Sequence, residues 1–189
     1  MNHSTFVKVD RETFFRFVAN APENERYEWV GGRIVQQQAG GTLKHVSIGR
    51  QFSLVLERAL DPTKWIVNSG SDRGVDTPRT VRYPDVVVEP AGGDPSSLAA
   101  TVPSLIVEVL SPTSSDRDLN EKPDEYLLLE TLQAYIIASQ DEAVCLVWVR
   151  GAGGKFAVEP MVVAGMTAAI AIPFLELDFT LADIYRGII

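Results

Sequence analysis

Cysteine occurs once in the 189 residues, as Cys145, which excludes a disulfide framework within the chain and a cysteine-rich zinc site. Its setting, Ala143-Val144-Cys145-Leu146-Val147-Trp148-Val149, is that of an inert core thiol. Long hydrophobic runs are missing too. The most apolar stretch, 161–175, falls short of the roughly 18 residues that a membrane helix needs, and Gly165, Thr167 and Pro173 interrupt it. The segment predicts core strand. The opening Met1-Asn2-His3-Ser4-Thr5-Phe6-Val7-Lys8 lacks the basic and apolar blocks of a signal peptide, so a cytoplasmic protein with no membrane contact is expected. No internal repeat and no low-complexity segment is found.

Positive charge is also scarce, with 17 Lys and Arg against 25 Asp and Glu for a net −8, and phosphate binding needs basic surface. The deficit is uneven. Residues 1–82 carry 12 basic against 9 acidic side chains, and residues 83–189 carry 5 against 16. Any phosphate backbone is therefore expected to approach the side bearing Lys44, Arg50, Arg73, Arg79 and Arg82, although an unevenly charged solvated surface accounts for the same numbers.

What is present is enough apolar material, 46% of the chain, for one soluble domain spanning 1–189 with its own core. Asp10 is placed to cap a helix carrying Phe14, Phe15, Phe17 and Val18 and ending near Pro22. Gly31-Gly32 then joins Tyr27-Glu28-Trp29-Val30 to Arg33-Ile34-Val35 as a hairpin. A helix from Thr42 to about Leu60 follows, with Ile48, Phe52, Val55 and Ala59 on one stripe. Strand signals come next at 65–67, 80–82, 84–88 and 104–110, with a loop over 90–103. A helix is predicted from about Asn120 to Leu132, then a hairpin of 134–138 and 143–150 around Gln140-Asp141-Glu142. A further strand is expected after the turn at 151–154, and Thr180 caps a last helix through Tyr185. Helices interleaved with groups of strands predict an α/β (α+β) domain around one mixed sheet.

One ionisable group interrupts the most apolar strand signal, Glu108 in Leu105-Ile106-Val107-Glu108-Val109-Leu110. Burying a carboxylate costs several kcal/mol unless a cation answers it. Alternation places Ile106, Glu108 and Leu110 on one face, and Asp85, in Tyr83-Pro84-Asp85-Val86, can reach that face if the two strands pair. Hard carboxylate oxygens suit Mg²⁺ or Mn²⁺, which keep waters and accept a substrate phosphate. Lys122 falls in the first turn of the following helix, with Asn120 as its N-cap and Tyr126 one turn on. From there its ammonium can lean over the sheet. Two strand carboxylates and a lysine are the parts of a metal-dependent phosphodiesterase. The same residues also suit a structural Lys–Glu pair, with Asp85 a strand-start residue, Glu28 a solvent-facing charge and His45 an ordinary helix histidine.

Several stretches together resemble the Uma family of restriction-endonuclease-like proteins, in the PD-(D/E)XK nuclease superfamily. They are Tyr27-Glu28-Trp29-Val30-Gly31-Gly32-Arg33-Ile34-Val35, His45, Arg82-Tyr83-Pro84-Asp85-Val86-Val87-Val88 and Leu105-Ile106-Val107-Glu108-Val109-Leu110-Ser111-Pro112. Asp118, Lys122, Tyr126, Ala134-Tyr135-Ile136-Ile137 and Leu181-Ala182-Asp183-Ile184-Tyr185 continue the match. The resemblance implies a restriction-endonuclease-like fold and a DNA endonuclease using Mg²⁺ or Mn²⁺. It makes Asp85 and Glu108 the metal-binding acids and Glu28 a catalytic acid from the N-terminal part. The superfamily lysine two residues after the glutamate is absent, that position being Leu110, and Lys122 is implied as its migrated substitute. A catalytically silent nucleic-acid-binding or protein-interaction module on the same fold is the alternative. A homo-oligomer, most simply a homodimer, is expected because the apolar stretch 161–175 exceeds what a small core needs.

Overall fold

The computed structural model describes residues 8–22, 25–37, 41–70, 72–110 and 117–189. Ser111 and Pro112, at the end of one family-like stretch, lie outside them, as does most of the N-terminal segment.

The first helix, α1 (Arg11–Val18), starts where Asp10 accepts a hydrogen bond from the Thr13 amide at 2.8 Å. The expected hairpin follows as β1 (Arg26–Val30) and β2 (Arg33–Gln37), paired Val30 to Arg33. Its two-residue turn needs positive φ at both positions, and Gly31 and Gly32 supply it at 55° and 90°. Helix α2 (Leu43–Ala59) is capped by Thr42, and its buried stripe is Ile48, Phe52, Ser53 and Leu56. The expected stripe is thus turned slightly: Ala59 is exposed and Val55 half-buried, while Leu56 and Leu60 reach the core.

Among the described residues, thirteen strands make up three sheets. β1 and β2 join β4 (Gly74–Asp76), β5 (Thr80–Arg82) and the two-residue β7 (Ala99–Ala100) in the order β2-β1-β5-β4-β7. The larger sheet contains β3 (Trp65–Ser69), β6 (Val86–Pro90), β8 (Leu105–Val109), β9 (Ala134–Ala138), β10 (Val144–Val149) and β11 (Met161–Ala164). Its order is β11-β10-β9-β8-β6-β3, antiparallel except for the parallel β8–β9 pair. The ribbon of β12 (Ala169–Ile172) and β13 (Leu177–Thr180) stands apart. The mixed α/β class is as expected, with the strands divided among sheets rather than gathered in one. β4 and β7 carry too few residues for an alternation pattern to reveal them.

Every residue of β8 and β9 is buried, so the larger sheet is covered on both faces. One face packs Val86, Val88, Leu105, Val107 and Val109 against Ile48, Phe52 and Leu56 of α2, the β12–β13 ribbon and α4 (Leu181–Tyr185). The other packs Val87, Ile106, Tyr135, Ile137 and Trp148 against Tyr126, Leu129 and Leu132. A third cluster, around Phe14, Val81 and Ala99, seats α1 on the smaller sheet.

The predicted 120–132 helix is much shorter. A π-helical stretch, Arg117–Glu121, runs into α3 (Lys122–Tyr126), so Asn120 lies within the π-helical stretch and is not a cap. Beyond Leu127 the chain tightens into i−3 bonds, Leu129 N–H to Tyr126 O and Leu132 N–H to Leu129 O. Burying both leucines in the second core wins over continuing the helix. At the C-terminus, Thr180 and Asp183 form the capping box of α4.

Candidate active site

β8 carries its one polar side chain near its C-terminal end, next to the last residue of the strand. Glu108, only 3% exposed, projects on the face of Ile106, toward α3. There its Oε1 meets the Lys122 ammonium at 2.8 Å and accepts a hydrogen bond from the Tyr126 hydroxyl at 3.2 Å. Lys122 and Tyr126 stand one helical turn apart, which brings both onto a single carboxylate. Burial, reinforced by the nearby negative charge of Glu108, raises the Tyr126 pKa well above its usual value, so the phenol remains a donor.

Asp85 immediately precedes β6. Its Oδ2 accepts the backbone N–H of Val109 at 2.7 Å, and its Oδ1 lies 3.0 Å from Nε2 of His45 on α2. The antiparallel β6–β8 pairing, Val86 opposite Val107, carries the Asp85 end past the last residues of β8. Asp85 therefore touches the peptide that links Glu108 to Val109, from the side on which Gly49 of α2 packs. A Cβ on Gly49 would meet Asp85 Cβ at 3.9 Å and Val109 Cγ2 at 4.0 Å, so α2 approaches the strand end closely.

Glu28, at the centre of β1, is 2% exposed. It is not the solvent-facing hairpin charge that the local sequence allows: its Oε2 accepts from Arg82 Nη1 at 2.8 Å and from Gln37 Nε2 at 2.6 Å. Arg82 itself is 1% exposed, which removes it from the basic surface expected to meet phosphate. It grips Glu125 of α3 with two parallel bonds, Nε to Oε2 at 2.9 Å and Nη2 to Oε1 at 2.7 Å. Burial opposes the arginine's charge, but Glu125 and Glu28 outweigh it and push the pKa up. Arg73 is likewise tied inward, to Glu89 at 2.7 Å, whereas Arg50 and Arg79 are exposed.

Sequence reasoning missed two of these partners. His45 stood among the family-like stretches, but nothing in its helical setting named Asp85 as its partner. The Arg82–Glu125 pair was legible only as a charge inside a strand of buried neighbours and an acid three residues after Lys122.

Among the described residues, no three His, Cys, Asp or Glu side chains form a ready-made metal cage. Asp85 bonds the Val109 amide from the α2 side while Glu108 points toward α3, so what the strand end brings together is one carboxylate and the peptide beside the other, and hard carboxylate oxygens of this kind suit a divalent cation. Mg²⁺ takes one or two protein carboxylates and leaves the remaining positions to water and a substrate phosphate. Among the same residues, no helix is long and apolar enough to cross a membrane.

The family model Uma2, described as "Putative restriction endonuclease", matches residues 11–182. A relative from Synechocystis sp., "Uncharacterized protein sll1609", is 32% identical over 120 residues, covering 61% of this chain and 67% of that protein. A crystal structure from Anabaena variabilis, of "a putative nuclease belonging to DUF820", superposes with a TM-score of 0.72 at 17% identity. The match covers 92% of this chain and 97% of that one, a likeness of fold.

Proposed function

Because the chain belongs to the Uma2 family, described as "Putative restriction endonuclease", we propose that it is a metal-dependent nuclease that hydrolyses phosphodiester bonds in DNA. One observation carries the reading: Asp85 bonds the amide directly after Glu108, while the Lys122 ammonium touches the Glu108 carboxylate. Asp85 and Glu108 would hold Mg²⁺ or Mn²⁺, and the cation when bound supplies Lewis acidity and activates water.

The side chains around it have separate tasks. The Val109 N–H and His45 fix both oxygens of Asp85, which removes its rotational freedom before any ligand arrives. The Tyr126 hydroxyl orients Glu108 in the same way. Lys122, a compact point charge in apolar surroundings, is suited to orienting an attacking water and to answering negative charge as it grows on the phosphate. Its attachment to the first residue of α3, directly before Pro123, keeps it against the strand end.

The test is cleavage of supercoiled plasmid with Mg²⁺ or Mn²⁺, together with Mn²⁺ titration of the apo-protein. Cleavage and Mn²⁺ binding that both disappear in Asp85→Ala, with circular dichroism unchanged, support the proposal. An intact wild-type fold that neither binds Mn²⁺ nor cuts sinks it and leaves the binding module. We place the homo-oligomer in the same proposal, now on narrower grounds. Of the apolar 161–175 stretch, Val163, Ile170, Ile172 and Leu175 are used by the core, and Met161, Val162 and Phe174 remain exposed. Light scattering that shows only monomer at high micromolar concentration removes this part alone.

A further inference from the structure

α3 has five residues, too few to hold its shape by its own hydrogen bonds. It is preceded by a π-helical stretch and followed by tight turns, so its position depends on what its side chains grip. Two faces do the gripping. Lys122 and Tyr126 take Glu108 of the larger sheet, and Glu125, between them in sequence, takes Arg82 of the smaller sheet. The segment that carries Arg82 carries Asp85 three residues later. One short stretch of chain thus ends in the clamp on α3 at one side and in the carboxylate at the end of β8 at the other.

We propose that Glu28 acts through Arg82, and that Glu28–Arg82–Glu125 is a positioning relay that holds α3, and with it Lys122 and Tyr126, over Glu108. The role rests on the nuclease reading for its catalytic meaning, but the mechanical coupling stands on these contacts alone. The guanidinium is fully engaged: one edge makes the two-bond grip on Glu125, Nη1 reaches Glu28, and Nη2 lies 3.5 Å from the half-exposed Glu121. Thr80 Oγ1 adds a bond to Glu125 Oε2 at 2.8 Å, and Gln37 adds one to Glu28. Both ends of the relay are therefore tied to the smaller sheet, at β5 and at the β1–β2 hairpin. The fork geometry matters: a lysine at position 82 keeps a charge but cannot make the parallel bonds that fix the orientation of Glu125.

The relay predicts a pattern that separates it from a metal-ligand role for Glu28 and from plain structural support. Glu28→Gln should leave Mn²⁺ affinity within twofold of wild type, because Glu28 holds Arg82 and not the cation. A tenfold or greater loss overturns the relay. Glu125→Gln and Arg82→Lys should lower kcat tenfold or more with KM and Mn²⁺ affinity nearly unchanged. Parallel losses in KM and Mn²⁺ affinity overturn it. The deciding measurement needs no activity: amine labelling of Lys122 read by mass spectrometry, with the exposed Lys64 as internal reference, and hydrogen exchange over 117–127. In Glu125→Gln, Lys122 labelling should rise at least fivefold and exchange should accelerate in that segment while β8 and β9 stay protected. Labelling equal to wild type, or acceleration spread over the whole larger sheet, refutes the relay. If plasmid cleavage is absent in wild type while Lys122 protection depends on Glu125, the nuclease reading fails and the relay stands.

Discussion

At the residue scale the site is a set of buried polar groups, each of which must find a partner within bond distance. Glu108 has Lys122 and Tyr126, and removing the lysine takes the cation from a carboxylate set among apolar side chains. The Lys122→Met substitution is accordingly expected to destabilise the fold by roughly 3 to 5 kcal/mol, the usual cost of stranding one member of a buried ion pair. The double variant Glu108→Gln, Lys122→Met should recover a large part of that loss, because the charge left behind has been removed too. Urea titrations of wild type, both single variants and the double decide it. A Lys122→Met midpoint equal to wild type would show that Glu108 has another counter-ion. Tyr126→Phe tests the second partner, with an expected loss of about 1 to 2 kcal/mol for an unmade buried hydrogen bond. In an active enzyme, Lys122→Met should also slow cleavage about 100-fold, the scale of removing one group aimed at the transition state.

At the element scale, α2 serves the site by proximity. Its interior glycine, Gly49, faces Asp85 and Val109 with room for one carbon at ordinary contact distance, 3.9 and 4.0 Å. Glycine in a helix interior costs about 1 kcal/mol relative to alanine, so Gly49→Ala should stabilise the protein by about 0.5 to 1 kcal/mol and leave His45 on Asp85. Larger side chains have no such room. Gly49→Leu should displace Asp85 and lose Mn²⁺ affinity, so titration of the two variants side by side checks the argument. An equal response to alanine and leucine would mean that α2 is free to move away from the strand end.

For the whole molecule, pH is the accessible variable. Burial pushes the Cys145 thiol up to about 12 and raises Tyr126 and Tyr185 above the ordinary tyrosine value. Unfolded chains release these protons at about 8.5 to 10, while the folded protein retains them, so above that range the unfolded state binds fewer protons. Stability contributed by these groups is complete below the unfolded values and falls as pH rises. Thermal melts should therefore show Tm declining steadily from about pH 9 upward. Cys145→Ala should remove the earliest onset of that decline and make it shallower up to about pH 12; a flat profile to pH 11 would contradict burial of all three. At the acid end, Asp10 and Asp183, held low by hydrogen bonds from Thr13 and Thr180, contribute above their unfolded values and lose that contribution as pH falls below about 4.

The sequence by itself determined what local chemistry controls. Asp10, Thr42 and Thr180 mark their helices because short polar side chains satisfy open amides, and Gly31-Gly32 marks its turn because two positive φ angles are required there. Apolar strands with a lone acid disclosed Glu108, since an unexplained charge is visible without any knowledge of its partner. Asp85 and Lys122 followed from the same logic and from family likeness. Only the tertiary structure decided who answers whom. The end of α3 at Tyr126 came from the burial of Leu129 and Leu132, a gain that no helix propensity encodes. The division of strands among three sheets depends on pairings between segments far apart in the chain, including two strands of two and three residues. Arg82, which charge counting placed on a phosphate-facing surface, is buried because Glu28 and Glu125 come from elements 54 and 43 residues away along the chain. Charge is a property of a residue and can be read from its letter, whereas the neutralisation of that charge is a property of the fold.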